Sequence, residues 1–450
     1  MKKTVNHILA AGLLALLSLA SCTDEFIEGN DLQGVDRDKR VEVRLPFGVG
    51  RGITTTITTR AAGGEIDYDS QLSGVMAFVY EAKSDNPEEN ELLAYHLFSN
   101  PSNKPLEGAT GGWIADNDDP TCGEIKFYVP VGDVYIYLLG NAQSSFLNFF
   151  PGVSGGDALG TQAEFFEKAT PKWNGNIHSV DGYLPLTGMV NNNTGLCHVN
   201  EQGQISYTDE EGKTHTLLPD GKHDEDNSFV LKRLMSKITM NIREGKGVKF
   251  TARDYTVRHI PHYVSPTAQA WTEEERDRIL VEDAKPVNFG LLDSLTFTIY
   301  LPENIRKVRS GVEITEYRQR DKVVKTADNK NTEETAPDDF HADNADNHKG
   351  HYKFEFAPKA STYIELTGWF ENADKTVAAD VRYYIHLGNF GKDLNHFSVE
   401  RDHHYTYNVT INGVDDIVVE VEDENEKTPG AEGVVFKHEA FAHIDAHFDQ

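Results

Sequence analysis

Cysteine is scarce in this chain: three occur in 450 residues, at Cys22, Cys122 and Cys197. That number cannot build a disulfide framework, although Cys122 and Cys197 could pair in an oxidising compartment. Basic residues are also short. Lys plus Arg total 43 against 72 Asp plus Glu, a formal net charge of -29. Such a surface repels phosphate backbones and argues against a nucleic-acid partner and against a basic membrane-surface helix. After Ala20 no run is apolar enough to cross a membrane as a helix. P-loop, Rossmann glycine and kinase patterns are missing, as is any repeat of solenoid period.

What is present begins at the first residues. Lys2 and Lys3 form a basic start, Ile8 to Ala20 is an apolar run too short to span a bilayer, and Leu19-Ala20-Ser21 precedes Cys22. This reads as a signal peptide over residues 1–21. The leucine and small residues before the cysteine resemble a bacterial lipobox, which implies cleavage before Cys22 and its acylation. Thr23-Asp24-Glu25 resembles a surface-export signal of some anaerobic Gram-negative lineages.

Period-two alternation dominates the rest. Val41, Val43, Leu45 and Phe47 share one face of an expected strand. Val75–Tyr80 reads as a strand buried on both sides, and Ile125–Val131 and Val134–Leu139 as two runs joined at Gly132-Asp133. Leu234, Ile238, Met240 and Ile242 line another strand. More strands are expected at Leu295–Leu301, Tyr352–Phe356, Tyr363–Phe370, Val381–Leu387, Tyr405–Ile411 and Ile417–Val421. Helical patterns are confined to Gln162–Ala169 and Thr272–Val281. Many short strands and few helices predict a sandwich-type all-β chain. A polar run at Asp220–Asn227 suggests a domain boundary. Lys322–Gly350 holds almost no apolar residue and reads as a long exposed loop.

Several segments, taken in order, resemble the fimbrillin family, the pilin-like lipoproteins of anaerobic Gram-negative bacteria. They are the lipobox, the strand Val41–Phe47, the loop holding Arg60-Ala61, the strand Gly74–Tyr80, Val129–Ala142, Leu184-Pro-Leu-Thr-Gly188, Leu231–Ile238, Leu301-Pro-Glu-Asn304 and Arg401–Gly413. The resemblance implies two transthyretin-like β-sandwich domains in tandem. It also implies cleavage by an arginine-specific protease in the loop after the first strand, departure of that strand, and assembly by donor-strand exchange with neighbouring fimbrial subunits. Arg60, before Ala61, is the expected cut, and Arg51 in the same loop is the alternative. The expected organisation is a signal peptide (1–21), a lipidated propeptide with the first strand (22–60), an N-terminal sandwich (61–227) and a C-terminal sandwich (228–450).

Two places fit that chemistry from the residues alone. Loss of a strand with one apolar face would leave an open groove with unpaired edge groups, a surface for strand addition. The tail Val434–Gln450 alternates as well: Val434, Phe436, Ala440, Ala442, Ile444, Ala446 and Phe448 fall on one face, interrupted by His438. The pattern suits a donor strand, and it equally suits a strand completing its own sandwich. The tail lacks tryptophan and is more charged than a stalk subunit's, so tip, accessory and anchor roles stay open.

Catalytic patterns fail on context. Gly152-Val-Ser154-Gly-Gly156 fits a nucleophile elbow, but lacks the strand–turn–helix surroundings that chemistry needs. His438-Glu439 and His443 miss the zincin spacing by one residue, which turns the second ring about 100° further round a helix. His443, Asp445 and His447 share a strand face, and His341, His348 and His351 sit among Asp343 and Asp346. Either set could meet a divalent cation, yet a solvated polar face is the simpler reading. The sequence therefore predicts a structural or adhesive surface subunit at the outer membrane, with no enzyme activity, cofactor or metal. Its alternative is a non-polymerising surface lipoprotein that anchors a fimbrium or binds host or other glycans through Trp113, Trp173, Trp271 or Trp369.

Overall fold

The computed structural model describes residues 36–50, 71–102, 106, 109, 111–116, 121–142, 146–148, 159–168, 171–178, 183–190, 194–209, 211–219, 228–266, 280–291, 295–306, 308, 311–325, 340–342, 350–391, 393–423 and 438–440. Their regular secondary structure is nearly all strand, and the chain is all-β. They form two compact units. The chain passes from the first to the second between Leu234 and Met235, while Gly175–His178 belongs to the second unit and Val264–Pro266 to the first.

The first unit holds β1 (Asp36–Val49), β2 (Gly74–Glu81), β3 (Leu92–Ser99), β4 (Trp113–Ala115), β5 (Cys122–Gly140), β6 (Leu147–Asn148), α1 (Gln162–Lys168), β7 (Lys172–Trp173), β8 (Leu186–Gly188), β9 (Leu196–Val199), β10 (Ile205–Thr208), β11 (Thr214–Thr216) and β12 (Phe229–Arg233). The continuous apolar run of β2 has the reason expected of it: every residue is buried. Val75, Ala77 and Val79 enter the main core. Phe78 and Tyr80 point to the other side and meet Phe165 of α1, with ring centroids 5.0 and 5.8 Å apart. Tyr95 of β3 shares that side, its ring centroid 5.0 Å from that of Phe78.

Four pairings in this unit close on themselves: β1 with β12 is parallel, while β12 with β8, β8 with β5 and β5 with β1 are antiparallel. Each antiparallel step reverses direction, so straight strands cannot satisfy three such steps and one parallel step around a ring. One strand must turn along its length, and β5 is that strand. Its Cys122–Val131 half runs along β1 and its Val134–Gly140 half along β2. The change falls at Gly132, whose φ of 131° suits glycine. The two runs expected here are thus one bent strand.

The second unit holds β13 (Met235–Glu244), β14 (Val248–Arg258), β15 (Ile260–Pro261), β16 (Val281–Glu282), β17 (Val287–Asn288), β18 (Thr296–Pro302), β19 (Val323–Lys325), β20 (Phe340–Ala342), β21 (Gly350–Phe354), β22 (Tyr363–Asn372), β23 (Ala378–His386), β24 (His404–Ile411), β25 (Ile417–Asp423) and β26 (His438–Ala440). One sheet runs β18-β13-β24-β25-β26 and another β17-β14-β22-β23. Ile238, Met240 and Ile242 alternate inward along β13 as their spacing requires. Tyr255 of β14 stacks on Phe297 of β18 at 3.9 Å, joining the two sheets through aromatic packing.

Two expectations need correction. The stretch 322–350 is not one featureless loop, because Val323–Lys325 and Phe340–Ala342 pair with β21 in a three-stranded sheet. A polar composition hides such strands, since their partner lies outside the stretch. The helix expected to end at Val281 does not extend that far: Val281 opens β16, paired with Ile260–Pro261. Residues 272–279 of that expectation lie outside the described residues.

Candidate functional site

The site begins with β1. Val41, Val43, Leu45 and Phe47 stand across from Val129, Phe127, Ile125 and Gly123 of β5. Val43, Leu45 and Phe47 are wholly buried. Phe47 is the largest of them, and its position opposite Gly123 gives the ring room. A Cβ added to Gly123 would lie 3.1 Å from the Phe47 ring and 2.9 Å from the Ile114 carbonyl oxygen. Trp113 of β4 closes the pocket edge-on, with ring centroids 4.9 Å apart.

The outward face is polar. Arg44 forms an ion pair with Glu124 at 2.6 Å, and Glu124 is itself buried. Lys39 reaches Glu201 at 2.7 Å across exposed surface, a pair of little energetic weight. At the end of β1 the hold changes. Phe47–Val49 gain a second, parallel ladder with Phe229–Leu231, and the Gly50 amide donates to the Leu231 carbonyl at 2.8 Å. The buried Arg233 side chain donates through Nη1 to the Gly50 carbonyl at 2.7 Å.

Magnitudes decide what removal of β1 would mean. Burying Val43, Leu45 and Phe47 contributes roughly 5–9 kcal/mol, at about 1.5–3 kcal/mol for each side chain. A domain's whole net stability is about 5–15 kcal/mol. A groove emptied of this strand must therefore be refilled if the unit is to keep its fold. Truncating a buried Phe costs about 3–5 kcal/mol, whereas like charges placed across a strand pair cost up to about 1 kcal/mol. The pocket at Gly123 thus outweighs the Arg44 position in choosing an occupant.

Two quoted sequence segments meet beside this core. Asn141, with φ 53°, accepts from the Ser73 amide and donates to the Gln71 and Leu184 carbonyls, each at 2.8 Å. The pieces Val129–Ala142 and Leu184–Gly188 are therefore tied through one side chain. In the second unit Asn304 does likewise, donating to Ala360 at 3.0 Å and to the Thr362 hydroxyl at 2.8 Å.

The second unit also carries a buried polar cluster that sequence reading missed. The Arg320 guanidinium lies 3.8 Å above the Phe397 ring and donates to the Leu387 carbonyl at 3.0 Å. Asp321 accepts from the His386 backbone amide at 2.9 Å, and its oxygen lies 2.7 Å from His386 Nδ1. All three side chains are 0–2% exposed. Burial pushes the His386 pKa below the ordinary histidine value, with Asp321 opposing it. These contacts moor the Tyr317–Lys322 turn to the sandwich. Arg320 and Asp321 look like ordinary surface charges in sequence, and only their three-dimensional neighbours reveal otherwise.

The remaining predicted residues divide in two groups. Cys22, Arg51, Arg60, Ala61, Ser154, His348, Asp343, Asp346, Trp271, His443, Asp445 and His447 lie outside the described residues. Among the described ones, Cys122 and Cys197 are both buried and not joined in a disulfide, and burial pushes the Cys197 thiol pKa up. His341 and His351 stand opposite each other on β20 and β21. Trp113 packs on Phe47, Trp173 is 3% exposed, and Trp369 is 41% exposed on β22. Of the tail, His438–Ala440 pairs antiparallel with Ile417–Val419 of its own chain. Among the described residues no group of three or more His, Cys, Asp or Glu could hold a metal ion, and no helix is long and apolar enough to cross a membrane.

Residues 299–409 match a family described as a domain of unknown function, DUF4906. No curated protein matches the chain. Solved structures to which it is similar include fimbrial proteins. One is the tip fimbrial protein Mfa3 from Porphyromonas gingivalis, with a C-terminal truncation: 15% identity, 85% of this chain and 99% of that one covered, TM-score 0.41. Another is the fimbrial anchor protein Mfa2 from the same organism: 9% identity, 88% and 99% covered, TM-score 0.29.

Proposed function

We propose that this chain is a structural or adhesive subunit of a cell-surface fimbrium, carried to the outer membrane as a lipoprotein anchored through Cys22. An arginine-specific protease cuts after Arg60, or at Arg51, and the severed β1 leaves the first unit. A strand from a neighbouring subunit then fills the groove, so that subunits join by donor-strand exchange. The two units are transthyretin-like sandwiches. The observation that carries this reading is the position of β1: three wholly buried side chains on one strand, laddered to β5 along its length and to β12 only at Phe47–Val49. Such a strand is separable by one cut in the segment that follows it, and its loss creates an apolar groove with a free ladder edge.

Intact mass and N-terminal sequencing of protein released from its native cell surface test the proposal. A chain beginning at Ala61 is expected, and Arg60→Ala should leave a larger precursor that does not polymerise. Normal polymer from that variant would reject the assignment of the site.

A second reading has one observation in its favour. Trp369 stands out from β22 across from Thr251 and Asp380, with Asp380 ion-paired to Arg253. An exposed indole beside polar groups can stack on a sugar ring. A monomer that never polymerises, keeps lipidated Cys22, and is stabilised by glycans unless Trp369 is replaced would favour a surface glycan binder.

A further inference from the structure

We infer that the turn 200–204, between β9 and β10, is a latch on β1: it closes the strand's second edge through Gly203 and sets how readily β1 leaves the first unit. The inference rests on the strand-exchange reading above and adds to it the element that governs the departure of β1.

A strand has two edges, and those of β1 are treated differently. The Val49 amide donates to the Thr121 carbonyl on the β5 side, and the Gly50 amide donates to the Leu231 carbonyl on the β12 side. Alternation carries these sides back along the strand, so the even positions turn their backbone groups away from β5. Pro46 suits such a position, since it has no amide to offer. β12 covers this second edge only at Phe47–Val49. Further back, the Glu42 carbonyl meets Gly203 instead. A Cβ added to Gly203 would lie 2.1 Å from the Glu42 oxygen, 3.2 Å from its carbonyl carbon and 3.9 Å from the Val43 Cα. The turn therefore lies flush against the backbone of β1, at a distance that a side chain would not allow.

The turn is rigid and rooted. Asn200 accepts at Oδ1 from the Gln202 and Gln204 amides at 3.0 and 2.9 Å, and the Gly203 amide donates to the Asn200 carbonyl at 3.0 Å. Val199 and Ile205, on either side, pair with each other and enter the same core as Val43. The next turn has the same build. Asp209 accepts at Oδ1 from the Glu211 and Lys213 amides at 3.0 and 2.8 Å, and the Gly212 amide donates to the Asp209 carbonyl at 3.0 Å. Gly203 and Gly212 have φ of 76° and 81°, yet a Cβ on Gly212 would meet nothing within 4 Å. A methyl group strains the backbone at either glycine whether β1 is bound or gone. The clash with Glu42 exists only while β1 is in place, so it alone favours departure. The Lys39–Glu201 ion pair crosses the same gap, but both groups are exposed and it adds little.

The test is hydrogen–deuterium exchange of the full, uncut chain read by mass spectrometry, with the β1 amides scored against those of β2 so that a global loss of stability cancels. Gly203→Ala should speed β1 exchange at least about tenfold relative to β2, and Gly212→Ala by no more than about twofold. Asn200→Ala loosens the turn without adding bulk and should speed it at least about threefold, which keeps the inference testable where Gly203→Ala fails to fold. Equal effects of the two glycine variants, or no effect of Asn200→Ala, would overturn the latch and leave strand exchange standing. A larger effect from Glu201→Gln than from Gly203→Ala would place the hold in the ion pair and overturn it too. After arginine-specific proteolysis, the Gly203→Ala chain should lose its β1 fragment faster than wild type. A cut chain that keeps β1 and forms no polymer, while the exchange pattern is as expected, would overturn the strand-exchange reading and leave the latch standing.

Discussion

Phe47 of β1 stands directly across from Gly123 of β5, and the missing side chain of one makes the room for the ring of the other. The pair converts a general apolar groove into one with a shaped end. Several consequences can be measured without knowing the assembly.

Phe47→Ala should destabilise the first unit by about 3–5 kcal/mol, because the ring leaves a cavity lined by Trp113 and the β5 backbone. Gly123→Ala should cost about 1–3 kcal/mol through overpacking against the Ile114 carbonyl oxygen, 2.9 Å from the added carbon. Urea unfolding followed by tryptophan fluorescence would read both. An unchanged midpoint for Phe47→Ala would mean that the ring is not a packing element.

Asn141 separates backbone from side-chain effects. Asn141→Ala should cost about 2–4 kcal/mol, since it strands the Ser73 amide and the Leu184 carbonyl and places alanine at φ 53°. Asn141→Gly keeps the backbone conformation and should recover about 1 kcal/mol of that loss. Identical unfolding midpoints for the two variants would remove backbone strain from the account.

Two perturbed histidines of the second unit, His386 and His403, act on stability in opposite directions. His386 is held below the ordinary value of about 6.5 by burial. The unfolded chain then binds the proton more readily, so the His386 contribution is present above about pH 6.5 and is lost as pH falls through its folded value. For His403, burial works against the charge, but Asp423 at 2.9 Å and Glu400 hold the pKa above the ordinary value. Its contribution is full below about pH 6.5 and is lost as pH rises through the folded value. The stability difference between wild type and His403→Gln should therefore shrink as pH rises above about 6.5. Imidazole NMR titrations should show His386 still neutral when His403 is charged, and the reverse order would refute both assignments.

Cys122 and Cys197 should both alkylate under denaturing conditions without prior reduction and resist alkylation in the folded protein. Mass spectrometry after iodoacetamide labelling checks this, and unlabelled cysteines with a mass deficit of two hydrogen atoms would reveal a disulfide instead.

Strand positions were legible because alternation is a local property: a residue's face follows from its neighbour's. The strands β1, β2, β13, β22 and β24 could be placed from their own residues, and so could α1 from its short helical pattern. Segments such as Val129–Ala142 and Leu184–Gly188 could be marked by their order, but not explained. Asn141 supplies the explanation by joining them, and its partners lie far away in sequence.

By itself, the sequence determined the all-β class, the buried face of the first strand, the alternation of the tail and the acidic surface, because each depends on composition or on period-two spacing. Only the tertiary structure decided that β5 turns at Gly132 to serve two sets of partners, that β19 and β20 order part of a polar stretch, and that Arg320, Asp321 and His386 lie together in the core. It alone put Gly123 across from Phe47. Those facts depend on which distant segments pair and in what register. A pairing of that kind is settled by the combined burial of many side chains, and no local pattern contains that sum.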